Sequence, residues 1–122
     1  MAKIKAYTDL EQSKKLAEIL PLESADMSYS IIHNIGQEPY HCNIPTFTHA
    51  THDDIPCWSL AALYGALPTI DDEFEPQLHR SLDKYRCTYE GEEDSSGLWR
   101  VACNPIDACY EVILKLHEQK LL

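Results

Sequence analysis

Glycine is scarce in this chain, with only four in 122 residues, and no Gly-x-x-x-x-Gly-Lys, Gly-x-Gly-x-x-Gly or Gly-x-Ser-x-Gly pattern occurs. Little material is left for a backbone cradle around phosphate, which argues against nucleotide-dependent chemistry. No apolar run approaches the roughly 18 residues that a membrane-spanning helix needs, so no membrane partner is expected. Lys3 and Lys5 sit near the start, but no apolar stretch with a small-residue cleavage site follows. A secretory signal is therefore not expected, and the expected location is cytoplasmic. Positive charge is also in short supply: 10 Lys and Arg face 20 Asp and Glu, for a formal net charge of −10. A phosphate backbone would meet net repulsion, so ordinary nucleic-acid binding is not expected. The acidity serves solubility; a sharper reading is mimicry of a nucleic acid or docking to a basic protein partner.

What is present suits a globular chain. Apolar residues make up 44%, and the length fits one domain with one core, so a single α+β domain over residues 1–122 is expected. The five cysteines are Cys42, Cys57, Cys87, Cys103 and Cys109. An odd count without an export signal points to free thiols rather than a disulfide scaffold.

Thr8-Asp9-Leu10-Glu11 reads as a capping box, with Thr8 as the N-cap, at the start of a helix whose stripe is Leu10, Ser13, Leu16, Ala17 and Leu20 and which Pro21 stops. Met27 to Ile32 alternates, and turn residues Asn34-Ile35-Gly36-Gln37 lead to Tyr40-His41-Cys42-Asn43, predicting a hairpin. Residues 44–54, rich in Thr and His, read as a long exposed connection. A second helix is expected to follow, with Asp53 and Asp54 at its amino end, Pro56 in its first turn, and Leu60, Ala61, Leu63, Tyr64 and Leu67 as its apolar surface. Leu78–Leu82, Tyr85–Glu90 and Leu98–Cys103 predict a three-stranded antiparallel meander, with a polar loop from Gly91 to Gly97. A last helix is capped by Asn104, begins at Pro105, and carries the stripe Ile106, Cys109, Val112, Ile113 and Leu116. The expected architecture is an antiparallel sheet, hairpin plus meander, packed with about three amphipathic helices.

One constellation could carry chemistry. His33, His41, Cys42, His49, His52 and Cys57 crowd one stretch, and imidazole and thiolate are the ligands zinc prefers. The candidate metal ligands are His49, His52 and Cys57, with His41 and Cys42. Against them, no Cys-x-x-Cys pair is present, and histidines in a polar loop are commonly just solvated. Cys57, directly after Pro56 at an expected helix start, is a candidate nucleophile whose thiolate a helix dipole would favour, although the papain-type signature around such a cysteine is missing. Asp71-Asp72-Glu73-Phe74-Glu75 lacks the glycine and the ligand spacing of a calcium loop and reads as a solvated face. Trp58 and Trp99 are expected to be buried or half-buried.

The segment Ile55-Pro56-Cys57-Trp58-Ser59-Leu60-Ala61-Ala62-Leu63 with Leu67-Pro68, the segment Leu10 to Pro21, and Asn104-Pro105-Ile106-Asp107-Ala108-Cys109 with Leu114 to Glu118 resemble a group of short uncharacterised proteins of gut Bacteroidetes genomes. These proteins often lie in prophage or mobile-element neighbourhoods. The resemblance implies a bacterial or phage origin and carries no activity, cofactor or residue role. Two readings stand: a non-enzymatic accessory protein acting through protein contacts, and a zinc-binding or small hydrolytic protein using the cluster between His41 and Cys57.

Overall fold

The structure, a computed structural model, describes residues 5–51, 53–89 and 98–122. The expected loop from Gly91 to Gly97, the end of the second meander strand at Glu90, and the candidate ligand His52 lie outside the described residues. The fold is α+β, with three α-helices and three antiparallel sheets among the described residues. Residue contacts divide the chain into two units, Tyr7–Ala62 and Met1–Ala6 with Leu63–Leu122.

In the unit Tyr7–Ala62, helix α1 spans Leu10–Ala17. Its N-cap is Asp9, one residue later than the expected Thr8. The Asp9 carboxylate accepts the Gln12 amide at 2.8 Å, and the Gln12 side chain accepts the Asp9 amide at 3.1 Å, closing a reciprocal box with Gln12 in the place expected for Glu11. Gln12 is consequently buried, whereas Ala17, expected on the apolar stripe, is exposed. Thr8 is unavailable as a cap because its hydroxyl serves a buried network described below. The regular helix ends at Ala17, but one further turn brings Leu20 into the core, its amide bonded to Leu16 O at 2.8 Å.

The stretch expected to form one hairpin strand divides in two. Strand β1 is Met27–Tyr29 and strand β2 is Ile31–Ile32. Strand β3, Tyr40–His41, pairs with β2, with Ile31 opposite His41, so the expected hairpin is present. Its turn bonds the Gln37 amide to Asn34 O at 3.2 Å and uses Gly36 at φ +80°, a position where a side chain would be strained. β1 instead pairs antiparallel with β4, Ile55–Cys57, placing Met27 opposite Cys57 and Tyr29 opposite Ile55. The expected second helix therefore starts later: Asp53, Asp54 and Pro56 precede it, and α2 runs Leu60–Gly65. Pro56 sits in a two-stranded ladder, where a residue without an amide hydrogen is tolerated at an edge. Ser59 acts at the start of α2, its hydroxyl oxygen accepting the Ala62 amide at 3.3 Å, while the Asp26 carboxylate accepts the Ser59 amide at 2.9 Å and its hydroxyl at 2.5 Å. Met27, Tyr29 and Cys57 form a buried cluster with Tyr7, Leu10 and Ile55 packed against it.

In the other unit, β5 (Pro76–Ser81), β6 (Lys84–Tyr89) and β7 (Trp99–Ala102) form the expected meander in the order β5-β6-β7. Helix α3 spans Pro105–Glu118 and packs on β6 and β7. Asn104 caps it by accepting the Asp107 amide at 2.8 Å, and every residue of the predicted stripe, Ile106, Cys109, Val112, Ile113 and Leu116, is fully buried. The acidic run before β5 forms a tight turn. Asp71 and Asp72 both take left-handed backbone angles, φ 54° and 55°, and the amides of Glu73 and Phe74 return to Ile70 O at 3.1 and 2.9 Å. Aspartate tolerates that conformation better than most side chains, which gives these two residues a local structural reason.

Candidate functional site

The segment from His41 to Cys57 is held at several points. The Ser28 and Thr46 amides exchange bonds with each other's carbonyls at 2.9 and 3.0 Å, and Ser28 Oγ lies 2.9 Å from Thr48 Oγ1. The Asp54 carboxylate accepts the Thr51 amide and hydroxyl, both at 2.9 Å, and the Ile31 amide at 3.1 Å. Those backbone hydrogen bonds favour the charged form and hold Asp54 below its ordinary value. The described residues of 44–54 are thus mostly exposed, as expected, yet pinned to β1 and β2.

The candidate metal ligands are placed as follows. His41 lies in β3 and its Nε2 donates to Asp53 O at 3.0 Å. Cys42 is half-buried, and its amide donates to Ser30 O at 2.9 Å. His49 and His33 are exposed. Cys57 is fully buried in β4, with Sγ donating to Thr8 O at 3.4 Å. Among the described residues, no three His, Cys, Asp or Glu gather as a metal group. For Cys57 the structure corrects the expected setting: it lies in a strand rather than at a helix amino end, and burial pushes its thiol up. A cysteine so placed packs as a small hydrophobe and lacks the dipole that would activate it.

The meander offers a different surface. Its register puts His79, Lys84, Arg86, Thr88, Trp99 and Val101 on one face and Leu78, Cys87 and Tyr89 on the other. The second face is buried at Cys87 and Tyr89, and α3 packs on its strands. The first is open at Trp99 and Val101, which are 41% and 44% exposed. The Arg86 guanidinium lies 5.2 Å from the Trp99 ring centroid, within cation–π range. Thr88, opposite Trp99, is fully buried, and its hydroxyl has no hydrogen-bond partner among the described residues. Lys84 Nζ donates to Cys103 Sγ at 3.3 Å, a bond that raises the lysine above its ordinary value.

Charge is distributed unevenly. The strands β5, β6 and β7 contain no Asp or Glu, yet they hold Arg80, Lys84, Arg86 and Arg100, four of the chain's 10 Lys and Arg. The alternation of residues predicts these strands, with Trp99 expected to be buried or half-buried, whereas it is 41% exposed. Alternation alone does not tell the two faces apart, because the register gives each of them two cations, Lys84 and Arg86 beside Trp99 and Arg80 and Arg100 beside Cys87; which face is covered depends on where α3 packs. Compared with family models, with curated proteins and with solved structures, the chain matches none.

Proposed function

We propose that this chain is a non-enzymatic accessory module that acts through protein contacts, made by the open face of the β5-β6-β7 sheet. The observation that carries the reading is Arg86 stacked over Trp99 beside exposed Val101, in strands without acidic residues on a chain of net charge −10. Tryptophan and arginine anchor interfaces because they bury large area with little side-chain entropy to lose. An apolar platform rimmed by cations fits an acidic protein segment with an apolar side chain to lay on Trp99. The resemblance of the segments around Leu10, Pro56 and Pro105 supports a bacterial or prophage genome as the source, and five free thiols support a reducing compartment.

A photo-crosslinking residue at Val101, with a control at exposed Glu11, tests the reading in a lysate of the source cells. One protein should crosslink repeatedly from Val101 and not from Glu11, and Arg86→Glu or added salt should weaken it. Equal background from both positions would sink the reading. Capture of a single-stranded nucleic acid, which could also stack on Trp99, would replace it with another.

A further inference from the structure

Among the described residues, large exposed apolar side chains gather in two places that differ in charge. One is the open sheet face, with Trp99 and Val101 beside Lys84 and Arg86. The other lies in the unit Tyr7–Ala62, at the β2–β3 hairpin and the connection after it, where Ile35 is fully exposed and Tyr40, Ile44 and Phe47 are exposed. Four such residues within 35–47 exceed the scatter of single apolar residues that a surface ordinarily shows. Ile35 stands in the Asn34–Gln37 turn, a place that polar residues usually fill. This second region is acidic: between Lys15 and Arg80 the sequence has no Lys or Arg. Glu38 belongs to the hairpin itself, and two further acids are bonded to it. His41 Nε2 reaches Asp53 O at 3.0 Å, and the Ile31 amide donates to the Asp54 carboxylate at 3.1 Å.

We propose that the segment received by the open sheet face is this hairpin in a second copy of the chain, with Ile35 laid on Trp99 and Glu38 facing Lys84 and Arg86. The proposal rests on the reading of that face as a docking surface and names its occupant. Charge complementarity selects it: a cation-rimmed apolar platform takes an apolar side chain close to a carboxylate and away from other cations, and Ile35 with Glu38 is such a pair. The net charge of −10 repels the copies at long range, but at physiological salt that repulsion is screened beyond about 8 Å, and the groups in contact decide. Hairpin and sheet are different patches, so the contact is heterologous, and a copy that docks its hairpin still offers its own sheet face. A contact built on one apolar anchor belongs with the weak, concentration-dependent ones.

Sedimentation velocity of the purified full chain over a concentration series should show reversible association, and a photo-crosslinker at Val101 should join two copies through the peptide around Ile35. Ile35→Ser and Arg86→Glu should each weaken the association at least about tenfold. Lys84→Glu, at an exposed side chain, takes the place of Arg86→Glu if that variant does not fold. Mixed together, the two variants should recover one contact, because the Ile35→Ser copy keeps its sheet face and the Arg86→Glu copy keeps its hairpin. Two misfolded variants would not recover it. A chain that stays monomeric throughout the series, a Val101 crosslink confined to one copy, or an association that Ile35→Ser leaves unchanged overturns the proposal. If Val101 then still captures a different protein from the lysate, the docking face stands and only its occupant changes; equal background from Val101 and Glu11 sinks both.

Discussion

Thr8 and Trp58 bond each other twice: the Thr8 amide donates to Trp58 O at 2.9 Å, and the Trp58 amide donates to Thr8 Oγ1 at 3.1 Å. The same threonine holds Ser13 Oγ at 2.8 Å, and its carbonyl accepts the Tyr29 hydroxyl at 2.8 Å and the Cys57 thiol at 3.4 Å. One fully buried residue thus ties the entry to α1 to β1 and β4. Thr8→Val keeps the shape but strands the buried Trp58 amide, and should cost about 2–3 kcal/mol. Thr8→Ser keeps the hydroxyl and should cost less than about 1.5 kcal/mol, mainly from one lost methyl. Urea unfolding of both variants checks this; equal losses would show that the hydroxyl is not the reason.

Leu82 sits at the tip of the β5–β6 hairpin with φ 57° and 89% exposure. A leucine there bears the left-handed penalty and gains almost no burial. Leu82→Gly should therefore stabilise the chain by about 0.5–1 kcal/mol, the reverse of the usual effect of adding glycine. A fall in melting temperature on this substitution would contradict the assigned backbone conformation.

The cap of α3 predicts a loss. Asn104 accepts the Asp107 amide, and its Nδ2 donates to Asp107 Oδ2, both at 2.8 Å, while Lys5 Nζ reaches Asp107 Oδ1 at 2.9 Å. Asn104→Ala should cost about 1–2 kcal/mol and Asn104→Asp appreciably less, because aspartate still accepts the amide but meets the Asp107 charge. Chemical denaturation of the two variants separates cap from charge.

Asp54 sets a pH dependence. Its carboxylate is held below the ordinary carboxyl value of 3.8 by the Thr51 and Ile31 amides, so the folded chain keeps it ionised where the unfolded chain protonates it. The stabilisation is fully present above the unfolded value and fades as pH falls below about 4 toward the depressed folded value. Asp54→Asn should lower stability at pH 6 and flatten the decline between about pH 4 and pH 3. Parallel curves for wild type and variant over that range would refute the linkage.

Alkylation should divide the cysteines by burial. Cys57, Cys87 and Cys109 are buried, Cys103 is exposed and Cys42 is half-buried. Native protein treated with iodoacetamide at neutral pH should label Cys103 first, then Cys42, with Cys57 protected until unfolding. A Cys57 that labels as fast as Cys103 would restore it as a nucleophile.

Legibility followed locality. The α3 stripe and its Asn104 cap were readable because a helix declares itself through residues three and four apart, and the meander because each strand pairs with its neighbour in sequence. The β1–β4 ladder was not readable: nothing near Ile55-Pro56-Cys57 names Met27-Ser28-Tyr29 as its partner, and the prolines and acids around it imitate a helix start. The same mistake placed Cys57 at a helix terminus. The cap of α1 was misread by one residue because Thr8 and Asp9 are both good caps, and only the distant Trp58 amide decides between them. On the open sheet face, the strand pattern was visible and the Arg86–Trp99 stacking was not, since it depends on cross-strand register.

The pairing of Tyr29 with Ile55 also implies an order of events. A hairpin such as β5–β6 closes over a two-residue tip and can form as soon as its own residues are available. β1 must wait until the whole β2–β3 hairpin and the threonine-rich connection have been gathered between it and β4, at a greater cost in chain entropy. Refolding or partly unfolded chains should therefore hold the β5–β6 hairpin while β1 and β4 still present unpaired edges. In amide exchange, the Tyr29 and Cys57 ladder should be among the last to acquire protection during refolding.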